Sequence, residues 1–340
     1  MSAARARVRI DLLTAGEAFQ DLIFVGLPHM PRDGEELRIA QFVATIGGGA
    51  VITATAAARL GLRTAIVSAL SAEAAASLRG DQVRVVNVKR PSEAHAVSVS
   101  LSTRRDRSFV TFNGVNDVLE ARLPAAIAVQ SARHVHFAFA PQNCAHWIRI
   151  ADRLRRRGVT TSWDFGWNPP LVQAAGFDAL VASADFVFVN EKEAELYARR
   201  RGPATVNFWR RTARHTIIKV GPRGSRWIAG DVARRPPFDA AQHSQPSDGS
   251  RRLPAIDISV AAPRVRVVDT TGAGDAFNGG FLVAFLQGRA PRECLRLGNF
   301  VGAQSTRAAG GVAGLPVAQP FKAGRPPSAG VKASATRGRG

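Results

Sequence analysis

The sequence predicts an α/β protein with a mostly parallel central sheet and a smaller β element attached to it. Three observations carry this. Strand and helix patterns alternate from about residue 134 to 308, as parallel strands joined by crossover helices require. A Gly-rich turn at Gly272-Ala-Gly274 links an apolar strand pattern, Val265–Val268, to an apolar helix pattern. Earlier, Val83–Val88, Ala96–Ser102 and Ser108–Thr111 read as three strands with no helix between them, which suits a separate small sheet.

Taken in order, Val8–Thr14 reads as a first strand, closed by a turn at Gly16, and Asp21–Val25 as a second. Ala50–Leu60 is a helix of small and apolar residues that stops at Gly61, a residue suited to the position after a helix. Thr64–Ser68 is a strand. His134–Phe137, Thr160–Trp163, Phe186–Val189, Thr216–Val220 and Arg264–Val268 are further strands. Cys144–Arg157, a short segment at Ala179–Ala182, Glu191–Arg199, Gly274–Gln287 and Pro291–Ala308 are helices, the last with proline in its first turn. Two segments break the alternation. Residues 234–262 are rich in Pro, Ser, Asp and Gln and read as a flexible insertion. Residues 316–340 read as a basic disordered tail.

The chain has 340 residues, 46% of them hydrophobic, enough to bury a large core. There is no internal repeat and no apolar run long enough to span a bilayer, so no membrane partner is expected. The start, Met1-Ser-Ala-Ala-Arg-Ala-Arg7, is basic without an apolar stretch. It does not read as a secretory signal, and a transit peptide is the weaker alternative. Cys144 and Cys294 are too few and too far apart for a disulfide framework or a zinc site, which points to a reducing cytoplasm. The net charge is +20. A nucleic-acid partner is one reading, but charge alone gives only non-specific phosphate affinity. Arginines on solvated faces and an anionic substrate such as ATP account for it more simply, so specific nucleic-acid binding is not expected.

Chemistry concentrates in Asp269-Thr-Thr-Gly-Ala-Gly-Asp-Ala-Phe-Asn-Gly-Gly-Phe281. The small residues Gly272, Ala273 and Gly274 let backbone N–H groups approach an anion at a helix start, where the helix dipole favours negative charge. Asp275 then falls in the first helical turn, where a carboxylate can take a proton from an attacking hydroxyl while the amides hold a phosphoryl group. The stretch is not a dinucleotide fingerprint, because Phe277 stands at its last glycine position. It is not a Walker A loop either, because Gly-Lys-Ser/Thr is absent. An ordinary Gly-rich turn with a capping Asp is the plainer alternative.

This stretch resembles the C-terminal signature of the PfkB, or ribokinase-like, carbohydrate kinases, a pattern close to D-T-x-G-A-G-D. The resemblance implies a ribokinase-like three-layer sandwich over residues 1–315. It also implies a small β lid from segments near 17–46 and 83–112. The same resemblance makes Asp275 the catalytic base and Gly272, Ala273 and Gly274 an anion hole. Gly47-Gly48 opening the helix that ends Ala-Arg-Leu-Gly61 is similar to the N-terminal signature, with Gly47, Gly48 and Asp21 on the substrate side. Asn190-Glu-Lys-Glu193 resembles the N-x-x-E motif that organises magnesium and phosphate. Asn190 then belongs to the nucleotide side and Glu193 acts on Mg²⁺ through water. A capping box is the alternative for that pair. Lys219-Val-Gly221-Pro-Arg-Gly224 is similar to the nucleotide-side loop, and Asn299 to the adenine side. Asp164 matches another strand-end Asp on the substrate side. ATP, Mg²⁺ and a monovalent cation are the implied cofactors, and a homodimer is a possible assembly. His134 and His136 alternate on a strand and read as packing residues.

The sequence departs from the family at three places. Ile52 stands where an Asn usually contacts substrate, lysine is absent at Gly49, and Ala69-Leu-Ser-Ala-Glu-Ala74 replaces an expected Gly-Asp-x-x-Gly stretch. The implied function is ATP-dependent phosphorylation of a hydroxyl, expected to be primary, on a sugar or sugar acid. A nucleoside kinase and a catalytically weak sugar-binding or regulatory homologue are the alternatives.

Overall fold

The computed structural model describes residues 9–103, 107–230 and 256–317. In chain order the strands are β1 (Ile10–Gly16), β2 (Phe19–Leu27), β3 (Gln41–Gly47), β4 (Thr64–Ser68), β5 (Arg84–Asn87), β6 (Val97–Thr103), β7 (Arg107–Phe112), β8 (Ala132–Ala138), β9 (Thr160–Asp164), β10 (Phe186–Asn190), β11 (His215–Lys219), β12 (Ser225–Ala229) and β13 (Asp257–Val260). The helices are α1 (Gly49–Arg59), α2 (Ala72–Gly80), α3 (Leu119–Ala128), α4 (Cys144–Arg156), α5 (Phe177–Ser183), α6 (Glu191–Ala198), α7 (Pro203–Thr212), α8 (Ala273–Leu286) and α9 (Pro291–Ser305).

Nine strands form one sheet in the order β13-β12-β11-β10-β9-β8-β1-β4-β5. From β5 to β11 all neighbours are parallel, while β12 and β13 add antiparallel to the edge. From β1 the chain moves outward to β4 and β5, then returns to the other side at β8. The junction of β1 and β8 is therefore the point where strand order reverses, and a crevice opens beyond the carboxyl ends of strands at such a point. Four strands make a second sheet, β3-β2-β6-β7, in which β2 and β6 pair in parallel and the outer pairs are antiparallel.

Strands β1, β4 and β9 are buried along their whole length because helices cover both faces of the large sheet. On one face, Phe137, Trp147, Trp163, Phe165, Tyr197 and Trp209 belong to the largest apolar cluster, beneath α3 to α7. On the other, Phe277 and Phe281 of α8 pack with Phe186, Phe188 and Trp227 of the strands. Helices α8 and α9 approach closely because Gly280 lies against Val301 and Gly298 against Phe277.

The structure corrects several expectations. Val83–Val88 was expected in the small sheet, yet β5 extends the large sheet parallel to β4. The cause is α2, which the sequence reading passed over. It supplies the crossover a parallel neighbour needs, and Ser71 caps it by accepting from the Ala74 N–H at 3.1 Å. The Ala69–Ala74 stretch that lacks the Gly-Asp pattern is thus the capped start of a helix. Arg264–Val268 is not a strand. The sheet already ends at β13, and the Val268 and Asp269 N–H groups turn instead to the Thr306 carbonyl at 2.7 and 3.1 Å. Gly16 is the last residue of β1, not a turn after it. Of the expected insertion, Asp257–Val260 is a strand, while 234–255 lie outside the described residues, as do 318–340 of the expected tail.

Candidate active site

Asp275 stands at the mouth of the β1/β8 crevice. Gly272 is the N-cap of α8 in the left-handed conformation, φ 69°. A side chain there would be strained and would also collide with Ile52 Cδ1, so glycine is required twice over. The helix then starts at Ala273, and Asp275 lies in its first turn. Across the crevice, Gly49 at the start of α1 faces it: a Cβ on Gly49 would lie 3.0 Å from Asp275 Oδ1 and 3.0 Å from Ala138 Cβ, at the end of β8. The Thr53 hydroxyl donates to the Asp275 carbonyl at 3.1 Å and ties α1 to α8. The sequence pattern points to Gly47 and Gly48 on the substrate side, while it is Gly49 that lies against Asp275.

Behind Asp275 lies a buried charged cluster drawn from four elements. The Lys219 ammonium, at the end of β11, is 2.7 Å from Asp164 Oδ2 at the end of β9. Asn278, one turn further along α8, donates to the same oxygen at 2.8 Å, and its Oδ1 is 3.4 Å from Lys219 Nζ. Lys219 Nζ also lies 3.1 Å from where a Cβ on Gly274 would be, so the small residue makes room for the cation beside the helix N-terminus. Burial pushes the Asp275 carboxyl up, Asp164 and Glu193 push it further, and Lys219 opposes them. The result is about 7. Burial also acts on Asp164, but the Lys219 ammonium and the hydrogen bonds from Lys219 and Asn278 outweigh it and hold Asp164 below the usual carboxylate range.

Two predicted site residues have internal partners. Asp164 was expected to bind substrate hydroxyls, but Oδ2 accepts from Lys219 and Asn278, and Oδ1 accepts from Gly166 N–H at 3.1 Å. Lys219 was expected on the nucleotide side, but its ammonium turns into the cluster. Gly221 and Gly224 flank the short turn between β11 and β12, where Val220 N–H donates to the Gly224 carbonyl at 2.8 Å. A side chain at Gly224 would strike the Val260 carbonyl, so part of the demand for glycine there comes from β13. Asn299 is buried, and its amide donates to the Val260 carbonyl at 2.9 Å, fixing that strand end.

Asn190 and Glu193 form a full capping box at α6, with the two bonds at 2.9 and 2.8 Å. Glu193 is only 7% exposed, and burial raises its pKa, with Asp164 adding to the effect. Among the described residues there is no group of three His, Cys, Asp or Glu side chains suited to holding a metal.

On the small-sheet side, the Asp21 carboxylate fills the space where a Cβ on Gly47 would be. Burial, with Asp269 nearby, pushes Asp21 up to about 7. Gly48, φ 101°, passes against the Glu17 carbonyl. Next to Glu17 is a cavity of about 430 Å³, lined in part by Glu17, Asn113, Asn116, Asp117, Gln142 and Asn168, with no Lys, Arg or His among the described residues around it. Asn116 is 6% exposed and its Oδ1 is buried with no hydrogen-bond partner. Ile52 fills the space under Gly272 and Gly311 and packs with Ala56, Ala276, Val301 and Leu315. It supports the helix start that carries Asp275. His134 and His136 are fully buried and bond to Thr160 and Ser162 at 2.7 Å.

Residues 9–318 match the model of the pfkB family of carbohydrate kinases. A nucleoside kinase of Methanothermobacter thermautotrophicus is 26% identical over 306 residues, covering 86% of this chain and 87% of the relative. A ribokinase of Haemophilus influenzae is 23% identical over 306 residues, 87% of this chain and 92% of that one. The fold is similar to that of the Arabidopsis thaliana ribokinase solved with ribose and ATP, with a TM-score of 0.67, 21% identity, and coverage of 91% of this chain and 96% of the other. The strand-reversal crevice, the Gly-Ala-Gly helix start and the match over nearly the whole length agree: the chain belongs to the pfkB family of carbohydrate kinases, ATP-dependent phosphotransferases acting on a sugar or nucleoside.

Proposed function

We propose that the protein transfers the γ-phosphoryl group of ATP to a hydroxyl of an uncharged sugar or nucleoside, with Asp275 as general base. The observation that carries this is the position of the Asp275 carboxylate, in the first turn of α8 and against Gly49 at the β1/β8 crevice. The acceptor hydroxyl gives its proton to Asp275, its oxygen bonds to the γ-phosphorus, and the bond to the ADP oxygen breaks. The N–H groups of Gly272, Ala273 and Gly274 hold the transferring group. Asp21 binds acceptor hydroxyls, with Gly47 and Gly48 leaving room for them. Gly221 and Gly224 line the nucleotide side. Mg²⁺, when bound, would offset phosphate charge, and Asn190 and Glu193 are the residues that would act on it.

The acceptor is read as uncharged because of the cavity beside the crevice. Its lining holds three carboxylates, Glu17, Asp117 and Glu120, and no basic side chain among the described residues, and the unpartnered Asn116 Oδ1 is an acceptor that hydroxyl donors satisfy. A sugar acid or sugar phosphate would bring like charge to it. The test is ADP release over a panel of neutral sugars, nucleosides, sugar acids and sugar phosphates, each with and without K⁺. Turnover on neutral polyols, absent on anionic ones, is the expected result. Turnover confined to anionic acceptors would overturn the choice of substrate, and no turnover on any of them would sink the kinase reading itself. A K⁺-dependent rate would add the monovalent cation.

A further inference from the structure

Lys219 is a fully charged group held where a phosphotransfer base stands. Three carboxylates converge behind the start of α8: Asp164 from β9, Glu193 from α6 and Asp275 itself. Among the described residues, Lys219 is the cation that faces all three. It is held by a 2.7 Å ion pair to Asp164, and Asn278 bridges the two. His136 of β8 also faces Asp164 and Lys219, but burial keeps it neutral, with a pKa of about 4. The parts of α1 nearest Asp275, Gly49 and Thr53, carry no charge.

We propose that Lys219 and Asp164 are positioning residues of opposite sign that together set when the Asp275 carboxylate is free to accept the acceptor's proton. Lys219 attracts the ionised form of Asp275, and Asp164 repels it. In a buried site these effects are strong because little water screens them. The pair works as a unit. Asp164 and Asn278 fix the ammonium beside Gly274, and the missing side chain at Gly274 lets it sit there. Raised toward 7 by its surroundings, Asp275 is held near the working pH, where a general base is most effective. This inference rests on Asp275 being the base.

The two residues make predictions of opposite direction, which a merely structural role does not. In Lys219→Met, three carboxylates face one another with no cation, so Asp275 keeps its proton to higher pH. The acid limb of kcat/KM then moves up by at least one pH unit, a tenfold change in proton affinity. In Asp164→Asn, a repelling charge is gone while Lys219 stays, so the limb moves down. Lys219→Arg keeps the charge and stays within half a unit of wild type. The double variant Lys219→Met/Asp164→Asn returns toward wild type, and it guards against a single variant that unfolds because a charge is left buried alone. Infrared difference spectra of the protonated carboxyl, assigned by its loss in Asp275→Asn, follow the same titration without any acceptor. They separate failure of this inference from failure of the kinase reading. Limbs and spectra that do not move, or that move in the same direction for both single variants, overturn the proposal. So does a rise in the ATP KM alone, which would make Lys219 a nucleotide contact.

Discussion

The crevice at the ends of β1 and β8 and the small sheet beside it are built on different physics. In the crevice the charged groups behind Asp275 are tied to fixed partners: Asp164 to Lys219 and Asn278, and Glu193 to the Asn190 backbone. The strands beneath are closed on both faces. The small sheet turns an apolar face outward, with Phe42, Val110 and Phe112 each more than half exposed, and contributes one buried carboxylate, Asp21, to the site. Groups fixed by buried partners can tune a proton affinity. A half-exposed sheet can cover a ligand but has little with which to tune it. As a lid it would exclude water and move on a hinge.

The sharpest way to break this comparison is Asp275→Asn, which keeps the shape of the site and removes the base. Turnover should fall by about 10²- to 10⁴-fold while ATP affinity holds. A variant with near wild-type turnover would remove Asp275 from the chemistry. Stability should change the other way. The Asp275 pKa is raised from 3.8 to about 7, so at low pH the group is protonated in both folded and unfolded protein and costs nothing. As pH rises from about 4 through 7 the folded protein must ionise a buried carboxyl, and stability drops. Asp275→Asn lacks that drop, so its Tm should exceed the wild type's at pH 8 and match it near pH 4. Equal Tm at pH 8 would mean the carboxylate is better solvated than its surroundings imply.

A second contrast sets the two sheets side by side. Trp163 is 1% exposed and stacks on Phe137 and Phe165, with ring centroids 4.5 and 5.2 Å away. Trp163→Ala should cost about 3–5 kcal/mol in urea unfolding. Phe112 is 57% exposed on the small sheet, and Phe112→Ser should stay within about 0.5 kcal/mol. Comparable losses from the two would show that the small sheet's outer face is covered in solution.

The same division explains what could be read from the sequence. Asp275 and its glycines lie within a few consecutive residues, so their chemistry is visible locally. The cluster behind them is not. Lys219 and Asp164 are 55 residues apart, and Asp164 and Asn278 are 114 apart, and only the stacking of β9, β11 and α8 brings them together. A trace of Asn278 was there to find, as a polar side chain inside the apolar run Ala276–Leu286, where burial demands a partner. Val83–Val88 was assigned to the wrong sheet because its strand pattern carries no address. The address is α2, a short Ala-rich helix whose signal is weak. Arg264–Val268 alternates like a strand, but pairing depends on a free edge, and β13 had taken it.

The smallest effect separates two roles of one side chain. Glu193 closes the capping box of α6, and in the proposed mechanism it would also act on Mg²⁺. Glu193→Gln keeps an oxygen that can accept from the Asn190 N–H, now 2.8 Å from Oε2, so the cap largely survives. The charge does not. If the carboxylate acts on the ion, the Mg²⁺ concentration for half-maximal rate should rise several-fold while Tm changes little, because the ion loses an anionic neighbour. If Glu193 is only a cap, the order reverses. The Mg²⁺ dependence stays as it was, and Asn190→Ala, which removes the reciprocal bond, should lower stability by about 1 kcal/mol with no effect on the ion. Measuring both variants in both assays decides the matter. Glu193 is also buried with a raised pKa, so the Gln variant removes a group that is costly to ionise. A small gain in Tm above neutral pH, together with the weaker Mg²⁺ response, would mark it as a residue whose charge serves the reaction and not the fold.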